Sequence, residues 1–357
     1  MSLRVGILGT GPHATDTVLP AFRAQGWEVG ALCSIEPDLP DLAARLGIPI
    51  ATAEYRELVE RDDLDAVAIV TPTPTHREIM LAAVAAGKHV LCEKPIAMSL
   101  QDGRDMHAAA EAAGVTAMID FEFRFTPARL HVQQLLADGY VGELRHATIE
   151  LMLESQFLGP DFSWHDRAAL GGGTLNEHGS HYIDMVRQWF GEIRDVSAQM
   201  HTFKPDRRDP ESGETVQADA DDFWTCTMTL AGGGLVTLTQ SWVSVVSQGL
   251  RVGIAGTDGA LVVAQNESML SDAPVRSGKT GAAQLDELPR PASLPPMEDA
   301  PSWRIATLQR LLREFERGIR DGGSPAPNLQ DGLRCQAVLD AVRESARDGR
   351  RVAVSSI

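Results

Sequence analysis

The sequence predicts an α/β domain with a parallel sheet, followed by an α+β domain with an antiparallel or mixed sheet. The first observation is length, because 357 residues are more than twice a typical domain of about 150. The second is a regular alternation of short apolar runs and helix-like segments in the first third. The third is a change after residue 122 to longer runs in which apolar and polar residues alternate.

The first third has the pattern of strands that alternate with helices. Such alternation favours a parallel sheet with helices on both faces. Gly47, Gly87 and Gly114 stand where helices are expected to end. The predicted strands are Leu3–Leu8, Trp27–Cys33, Ala66–Val70, His89–Cys92 and Val115–Ile119, and the predicted helices end near Ala24 or span Leu39–Leu46, His76–Ala86 and Leu100–Ala113.

The remainder of the chain favours longer strands with polar turns between them. Period-two alternation and turns such as 232–234 and 257–259 predict an antiparallel or mixed sheet. The stretch Asp272–Pro301 is rich in Pro, Gly, Ser and Asp and is expected to be loop. The predicted strands are Leu144–Leu153, Val196–Phe203, Asp222–Leu230, Gly234–Val243 and Leu250–Ala255, and the predicted helices are Pro127–Ala137, Asn176–Phe190, Trp303–Arg320 and Asp331–Arg347.

Charge and composition exclude several classes of function. A formal net charge of −17 repels phosphate backbones and anionic membrane surfaces, so neither nucleic acid nor membrane is an expected partner. No apolar stretch reaches the roughly 18 residues of a membrane span, and the start shows no signal peptide, so a cytoplasmic location is expected. The four cysteines form no C-x-x-C pair, which argues against a zinc site or a disulfide framework.

A glycine-rich turn follows the first predicted strand and opens the first helix. Gly9–Ala14 matches G-x-G-x-x-[G/A], in which the first Gly permits a tight turn and the second lets backbone approach a pyrophosphate. The helix start supplies free N–H groups and partial positive charge. The segment therefore predicts a dinucleotide site. Its expected cofactor-binding residues are Gly9, Thr10, Gly11, Pro12 and His13.

The choice between NAD(H) and NADP(H) depends on the end of the second strand. An acid usually stands there to bind the adenosine ribose, but Ser34 follows Cys33 in this chain. Losing the carboxylate removes the usual bar to a ribose phosphate. The nearby Glu36, Asp38 and Asp41 would repel a dianion, so the balance leans slightly toward NAD.

Two further segments lie at predicted strand ends, where ligands bind in open α/β sheets. Thr71 and Pro72 follow Ala66–Val70, with His76 at the start of the next helix. Glu93-Lys94-Pro95 follows the next strand. An ammonium group held there could polarise a carbinol or carbonyl oxygen, whereas the alternative is a surface lysine that pairs with Glu93.

A third dense patch lies in the second half, where Gly171–Gly173 lead into a helix. Glu177 and His181 stand four residues apart on it, so both face the same way, and His178 could also reach that face. A carboxylate beside an imidazole fixes the ring tautomer and raises its basicity, as a proton-abstracting base requires. A structural role for these histidines is the alternative.

These motifs, in this order, resemble those of the glucose–fructose oxidoreductase, inositol dehydrogenase and MocA (Gfo/Idh/MocA) group of nicotinamide-dependent oxidoreductases. The resemblance covers nearly the whole chain. The matching residues are Gly9–Gly11, Thr71-Pro72, His76, Ala85–Pro95, Arg124-Phe125, Gly171–Gly173 through His181 to Asp184, and Ser345–Val352.

The resemblance implies a Rossmann domain at residues 1–122, and at 123–357 an α+β substrate-binding and oligomerisation domain with an open, mostly antiparallel sheet. It implies that Lys94 contacts substrate and nicotinamide and that His181 transfers the proton. Glu177 stands where the family commonly has Asp, which puts its part in a relay in doubt. Arg124, Trp164 and His165 fall where the family lines its substrate pocket, and the open sheet face implies a homodimer or homotetramer.

The expected function is hydride transfer between nicotinamide and a secondary alcohol or ketone of a sugar, polyol or cyclitol. No metal is expected, and the acidic run Asp219–Asp222 is interpreted as a solvated strand entrance. Two rivals stay open. One is a glycosidase-type enzyme that oxidises a sugar transiently before elimination, and the other is a non-catalytic dinucleotide-binding regulator.

Overall fold

The computed structural model describes residues 2–154, 159, 161–266, 272–294 and 299–357. Contacts between residues divide it into two compact units. The first comprises Met1–Glu122 and Glu298–Gln336, and the second comprises Phe123–Met297 and Ala337–Ile357.

The first unit is built on a six-stranded parallel sheet. Its strands are β1 (Arg4–Leu8), β2 (Glu28–Cys33), β3 (Ile50–Thr52), β4 (Ala66–Ile69), β5 (His89–Cys92) and β6 (Ala117–Ile119). Its N-terminal helices are α1 (Leu19–Ala24), α2 (Leu39–Leu46), α3 (Tyr55–Val59), α4 (His76–Ala85) and α5 (Leu100–Ala113). The predicted doubly wound α/β class is confirmed.

The strand order is β3-β2-β1-β4-β5-β6, so the direction of winding reverses between β1 and β4. Ligands of open α/β sheets bind in the crevice beyond the carboxyl ends at such a reversal. The central strands are buried on both faces: Val5, Ile7 and Leu8 of β1 have no exposed surface. Each such side chain contributes roughly 1.5–3 kcal/mol through burial.

Two elements of this unit were not predicted. The strand β3 has only three residues, none of which is buried, and the helix α3 has five. Runs this short give no readable periodicity.

The second unit combines helices with a nine-stranded sheet. The elements from residue 123 onward are α6 (Pro127–Ala137), β7 (Leu144–Glu154), α7 (Ser180–Phe190), β8 (Ile193–His201), β9 (Asp206–Arg208), β10 (Thr215–Gln217), β11 (Phe223–Leu230), β12 (Leu235–Ser244), β13 (Gly249–Gly256), β14 (Gly259–Gln265), β15 (Val275–Lys279), β16 (Asp286–Leu288), α8 (Trp303–Asp321), α9 (Leu329–Asp348) and β17 (Val352–Ala353). The sheet order is β16-β15-β14-β13-β7-β12-β11-β8-β17, while β9 and β10 form a separate ribbon.

The large sheet is mixed and mostly antiparallel, as predicted. Only β7 and β12 pair in parallel among its described strands. Along β11 the residues Trp224, Cys226 and Met228 are buried, and the residues between them are partly exposed. One face therefore forms the core, and the other face carries mainly threonines on β11 and β12.

The prediction that Asp272–Pro301 is loop is wrong in part. Within that stretch β15 and β16 extend the sheet, and β15 pairs with β14 from Gly259↔Lys279 to Val263↔Val275. Residues 295–298 of the stretch lie outside the described part. The strands were missed because Gly and Ser within them conceal the alternation, and only Val275 and Ser277 are buried.

The predicted division into a cofactor domain at 1–122 and a second domain at 123–357 stays a prediction. The contacts between residues group Glu298–Gln336 with Met1–Glu122. The physical reason is the apolar face of α8, whose Phe315 stacks on Trp27 with ring centroids 5.9 Å apart. The backbone N–H of Ile119 also donates to the carbonyl of Pro327 at 3.1 Å.

Candidate functional site

The glycine turn lies at the reversal of the sheet and is held by its first glycine. Gly9 has φ +102°, and a Cβ there would lie 2.5 Å from the carbonyl oxygen of Val70. Its N–H donates to the Cys33 carbonyl at 2.8 Å. At Gly11, in contrast, a Cβ would meet no atom within 4 Å. The turn is thus fixed on the side of Gly9 and leaves open space beside Gly11. This arrangement fits a dinucleotide, because its phosphates need close approach to the backbone.

The end of β2 is tied to this turn through Ser34. Thr10 Oγ1 donates to Ser34 Oγ at 2.8 Å, and the Glu36 N–H donates to the same hydroxyl oxygen at 3.2 Å. The side chains of Glu36, Asp38 and Asp41 are exposed. The polar environment at this strand end is therefore acidic rather than basic.

His76 lies beneath the loops that follow β4 and β5. It is 1 % exposed, and its Nε2 lies 2.9 Å from the Thr71 carbonyl oxygen while its Nδ1 lies 3.1 Å from that of Pro95. Burial lowers the pKa of His76. The ring faces backbone rather than solvent, and the expected contact of His76 with the cofactor stays a prediction. It joins the Thr71-Pro72 segment to the Lys94-Pro95 segment.

Glu93 stands at the centre of a polar cluster at the carboxyl edge of the first unit's sheet. Its Oε1 accepts from His13 Nε2 at 2.9 Å, and its Oε2 accepts from the Lys94 backbone N–H at 3.3 Å. His13, Glu93 and Asp120 each place one nitrogen or oxygen within 4.8 Å of the others. This cluster joins the glycine turn after β1 to the lysine after β5.

The ionisable groups of this cluster have shifted pKa values. Burial, followed by the charge of Glu93, raises the pKa of Glu122 to about 7. Burial would raise the pKa of Glu93, but the charge and hydrogen bond of His13 outweigh it and the pKa is lowered. Burial would lower the pKa of His13, but Glu93 and Glu122 raise it above its ordinary value. Such shifts at a strand edge are typical of functional sites.

Asp120 and Glu122 were missed by the sequence analysis. Asp120 follows β6 directly, and its backbone N–H donates to the Cys92 carbonyl at 2.8 Å. The signal was available, because an acid that directly follows a strand of a parallel sheet lies at the carboxyl edge, where ligands bind. It was hidden because the segment also matches a motif through Arg124.

In the second unit a glycine segment leads into the helix of His181. Gly171 and Gly173 have φ of +79° and +99°. A Cβ at Gly172 would overlap the His165 carbonyl, and one at Gly173 would overlap the Asp221 carboxylate. The three glycines are therefore required by close packing as well as by backbone conformation.

The helix itself begins with a π-helical turn, Leu175–Gly179, that continues into α7. Glu177 lies in the π-helical turn and His181 in the first turn of α7. π-helical turns inside helices occur frequently at functional sites. They also widen the spacing, so the four-residue separation does not by itself align the two side chains.

His181 is held in an aromatic environment. It is 3 % exposed, and its ring stacks on Phe123 with centroids 3.9 Å apart and planes at 11°. The guanidinium of Arg129 lies 5.2 Å from the Phe123 ring centroid, and Arg129 Nη1 donates to the His181 carbonyl oxygen at 3.4 Å. The imidazole is thus fixed in orientation.

His178 faces the core of the second unit. It is 6 % exposed, and its Nδ1 accepts from Trp242 Nε1 at 3.2 Å, which leaves the ring proton of the neutral form on Nε2. Gly179 beside it packs against Trp224. These contacts seat the helix start on the buried face of the sheet.

Arg124 forms a buried ion pair with Asp184 of α7. Arg124 Nε donates to Oδ2 at 2.7 Å and Nη2 to Oδ1 at 2.5 Å, and the two residues are 8 % and 1 % exposed. The guanidinium predicted to bind substrate is therefore occupied by a bidentate partner within its own unit. The pair fixes the orientation of α7.

Trp164 and His165 lie on a short turn, Trp164–Asp166, capped by Ser163. Their rings stack with centroids 3.8 Å apart, and Trp164 is 37 % exposed. The His165 carbonyl accepts from the Gly173 N–H at 3.0 Å, so this turn and the glycine segment are in contact. Below it, the buried Asp166 pairs with Arg207 at 3.2 Å.

The interpretation of Asp219–Asp222 as a solvated strand entrance is wrong in part, because Asp219 is exposed but Asp221 is partly buried and Asp222 is buried. Asp219 accepts from the Ala168 N–H at 2.7 Å, and Asp221 accepts from the Leu175 N–H at 2.9 Å. Asp222, 3 % exposed, accepts from the N–H groups of Phe203 and Lys204 at 2.8 Å each. The run caps loops and the start of the helix, a role that only the folded chain reveals.

Comparison with known proteins identifies the family. Residues 3–121 match the model of an oxidoreductase family with an NAD-binding Rossmann fold, and residues 130–262 match that of the GFO/IDH/MocA C-terminal domain. The chain belongs to the GFO/IDH/MocA family of oxidoreductases. It is an enzyme of the nicotinamide-dependent class, and its first unit is a Rossmann domain for that cofactor.

Similar proteins align over almost their whole length. Levoglucosan dehydrogenase of Pseudarthrobacter phenanthrenivorans is 27 % identical, with 97 % of this chain and 96 % of that protein covered. An NAD-binding oxidoreductase from Klebsiella pneumoniae is 26 % identical with a TM-score of 0.85, and both chains are covered completely. A levoglucosan dehydrogenase structure in complex with NADH and L-sorbose has a TM-score of 0.87 at 24 % identity over 99 % of each chain, which supports the fold.

Among the described residues, no helix combines the length and the apolar character that a membrane span requires.

Proposed function

We propose that this enzyme reversibly oxidises a secondary alcohol of a neutral sugar, polyol or cyclitol, with NAD(H) as the preferred cofactor. The observation that carries the proposal is the cluster at the carboxyl edge of the Rossmann sheet, where Glu93 connects His13 of the glycine turn to the backbone of Lys94. A lysine held next to the dinucleotide turn suits alcohol chemistry at the nicotinamide.

The dinucleotide, when bound, exchanges a hydride at its nicotinamide ring. The residues that would hold it are those of the open turn, Gly9 to His13, together with the segments at Ser34, Thr71-Pro72 and Glu93-Lys94. The open space over Gly11 supports this assignment. His76 serves these segments from below by contacting the Thr71 and Pro95 carbonyls.

Lys94 is the proposed electrophile. Its ammonium would stabilise the negative charge that develops on the substrate oxygen, an interaction that is stronger in the transition state than in the ground state. Glu93 and Glu122 interact electrostatically with Lys94, because the charge of Lys94 lowers the pKa of both carboxyl groups.

His181 is the proposed proton acceptor of the substrate hydroxyl, with Glu177 as its orienting carboxylate. A buried imidazole that stacks on Phe123 keeps a single ring orientation, as a general base requires. His178 follows the same helix start but is bonded to Trp242, which supports a positioning role. Arg124 likewise supports α7 through Asp184.

The partly exposed Trp164, with His165 stacked on it, is the proposed substrate surface of the second unit. An aromatic face suits the apolar C–H face of a sugar ring. The relative's name, levoglucosan dehydrogenase, agrees with a neutral sugar. The net charge of −17 disfavours strongly anionic substrates.

The preference for NAD(H) rests on the acidic end of β2. Ser34 bonds to Thr10, and the exposed acids Glu36, Asp38 and Asp41 offer no partner for a ribose phosphate. Matched fluorescence titrations with NADH and NADPH test this. Tighter binding of NADPH would overturn the preference.

The function is tested by turnover on a panel of neutral sugars, polyols and cyclitols, with NADH formation as the signal. Lys94→Ala and His181→Ala are each expected to lower kcat/KM by about 10²–10⁴-fold while NADH still binds. His107→Ala on α5, where the imidazole contacts the exposed Glu111, serves as the control. Unchanged turnover in both site variants would refute the assignment. Release of an aglycone from a glycoside without net NADH would identify the elimination reaction instead.

Cofactor binding is assigned to the Rossmann domain, and substrate binding and self-association to the second. We also propose that the enzyme forms a homodimer or homotetramer through the threonine-rich face of the large sheet. Its proposed location is the cytoplasm. Light scattering after size-exclusion chromatography tests the association, and a monomer at all concentrations would contradict it.

A further inference from the structure

Two buried carboxyl groups meet where β5 and β6 end. Glu93 follows β5 and Asp120 follows β6, and the Asp120 N–H donates to the Cys92 carbonyl at 2.8 Å, so the two strand ends lie side by side. Asp120 is 1 % exposed. One oxygen of each carboxyl lies within 4.8 Å of the other and of a His13 ring nitrogen.

Two carboxyl groups this close together repel each other when both are charged, and the burial of Asp120 disfavours its charged form further. A hydrogen bond between them also requires a proton, since a carboxylate has no donor. Burial, with the charges of Glu122 and Glu93, raises the pKa of Asp120 well above its ordinary value. The pKa of Glu93 is lowered instead, despite burial, because His13 lies against it. These opposite directions favour a proton on Asp120 over one on Glu93.

The Glu93 carboxylate already has two other partners. His13 Nε2 lies 2.9 Å from Oε1, and the Lys94 N–H lies 3.3 Å from Oε2. His13 belongs to the dinucleotide turn and Lys94 to the proposed reaction site. A shift of this carboxylate would therefore disturb both segments together.

We propose that Asp120 is a positioning residue that donates a hydrogen bond to Glu93 and thereby holds the dinucleotide turn and the Lys94 segment in one arrangement. The proposal rests on the proposed function only in that the turn binds dinucleotide. The proposal gives Asp120 a role in the site and makes cofactor binding depend on the proton that Asp120 carries.

Other titratable groups surround the cluster and must be separated from Asp120. The charges of Glu122 and Lys94 act on Asp120, and the charge of His13 acts on Glu122. The charge of Glu93 acts on His76 and Cys92. Glu122 provides the matched control, because it is a second buried acid of the same cluster whose pKa is about 7.

The experiment is a fluorescence titration with NADH from pH 6 to pH 10 on wild type, Asp120→Asn, Asp120→Ala and Glu122→Gln. Wild-type affinity is expected to fall about tenfold or more at alkaline pH, as Asp120 loses its proton and the two carboxylates repel each other. Asp120→Asn keeps a donor toward Glu93 that has no proton to lose, so its affinity should match wild type at pH 7 and lack the alkaline loss. Glu122→Gln should keep that loss but move it to lower pH, because the Glu122 charge no longer raises the pKa of Asp120.

Asp120→Ala should bind NADH weakly at every pH, and its melting curve shows whether it folds. Coinciding pH profiles of wild type and Asp120→Asn would overturn the proposal while leaving cofactor binding intact. A stoichiometric divalent metal in purified wild type that Asp120→Asn lacks would also overturn it, because a cation would then hold the cluster. Absence of NADH binding by wild type at any pH would refute the proposed function instead.

Discussion

The two units use buried charge in opposite ways. At the sheet edge of the first unit, Glu93, Asp120 and Glu122 are crowded around His13 and Lys94, and their pKa values are shifted in different directions. In the second unit, Arg124 and Asp184 form a bidentate pair, and Asp222 accepts from two backbone N–H groups. The first arrangement holds groups whose protonation can change, among them Glu122 with a pKa of about 7, whereas the Arg124–Asp184 pair fixes the orientation of α7.

The difference reflects two roles of charged groups in an enzyme, which are to change protonation and to fix orientation. Groups that handle charge must be able to change it, so they remain incompletely compensated. Groups that orient a helix must not change, so each is paired with a strong partner. The comparison can be tested by removing one group of each kind.

The largest expected effect is on stability, at the Arg124–Asp184 pair. Arg124→Ala should lower the free energy of unfolding by about 3–5 kcal/mol, because the buried Asp184 loses its bidentate partner and keeps only the longer ion pair with Arg187 at 3.8 Å. Urea denaturation measures it. The matched control is Arg320→Ala at the exposed pair with Glu316, expected to cost at most about 1 kcal/mol.

A double variant sharpens this prediction. Arg124→Met with Asp184→Leu removes both charges and retains much of the volume, so it should lose less stability than Arg124→Ala alone. Equal losses in the single and double variants would show that packing, rather than the buried charge, explains the effect.

The next effect separates strain from cofactor contact in the glycine turn. Gly9→Ala should lower the free energy of unfolding by about 1–3 kcal/mol, because φ is +102° and the Val70 carbonyl blocks the Cβ. Gly11→Ala should leave stability nearly unchanged, since its Cβ would meet no atom, yet weaken NADH binding about tenfold or more. Thermal melting and NADH titration measure the two quantities. Equal destabilisation by both variants would contradict the distinction.

The smallest effect concerns the pH dependence of stability through Asp221. Burial, only partly offset by the Leu175 N–H, raises the pKa of Asp221 to about 7. The unfolded chain then loses this proton first, at pH near 4, so this group's contribution to stability is present below that pH and is lost as pH rises toward 7. Between pH 5 and pH 8 the free energy of unfolding of Asp221→Asn should decrease by roughly 1–2 kcal/mol less than that of wild type. Partial solvent contact of Asp221 makes this difference smaller than the pKa shift alone would give.

Asp219→Asn is the control for that measurement, because Asp219 accepts from the Ala168 N–H in the same run and is exposed. Urea denaturation at both pH values provides the data. An identical pH dependence in wild type and Asp221→Asn would show that this carboxyl does not titrate there.

The sequence by itself determined the alternation of the first domain, the glycine turn, the mixed sheet and the family, because these depend on local patterns of hydrophobicity and glycine. Gly9 illustrates this, since its residue type follows from a local turn that only glycine adopts readily. Helix Asn176–Phe190 was likewise predicted to within one residue of the observed Leu175–Phe190.

Only the tertiary structure decided which polar groups meet. Asp120 approaches Glu93 because β6 pairs with β5, and His76 bridges two loops separated by about 20 residues of chain. Asp221 and Asp222 accept hydrogen bonds from backbone N–H groups distant in sequence, and α8 packs with the first unit through Phe315 and Trp27. Each of these contacts joins residues distant in sequence. Local pattern carries no information about them, because they follow from strand order and burial rather than from neighbouring residues.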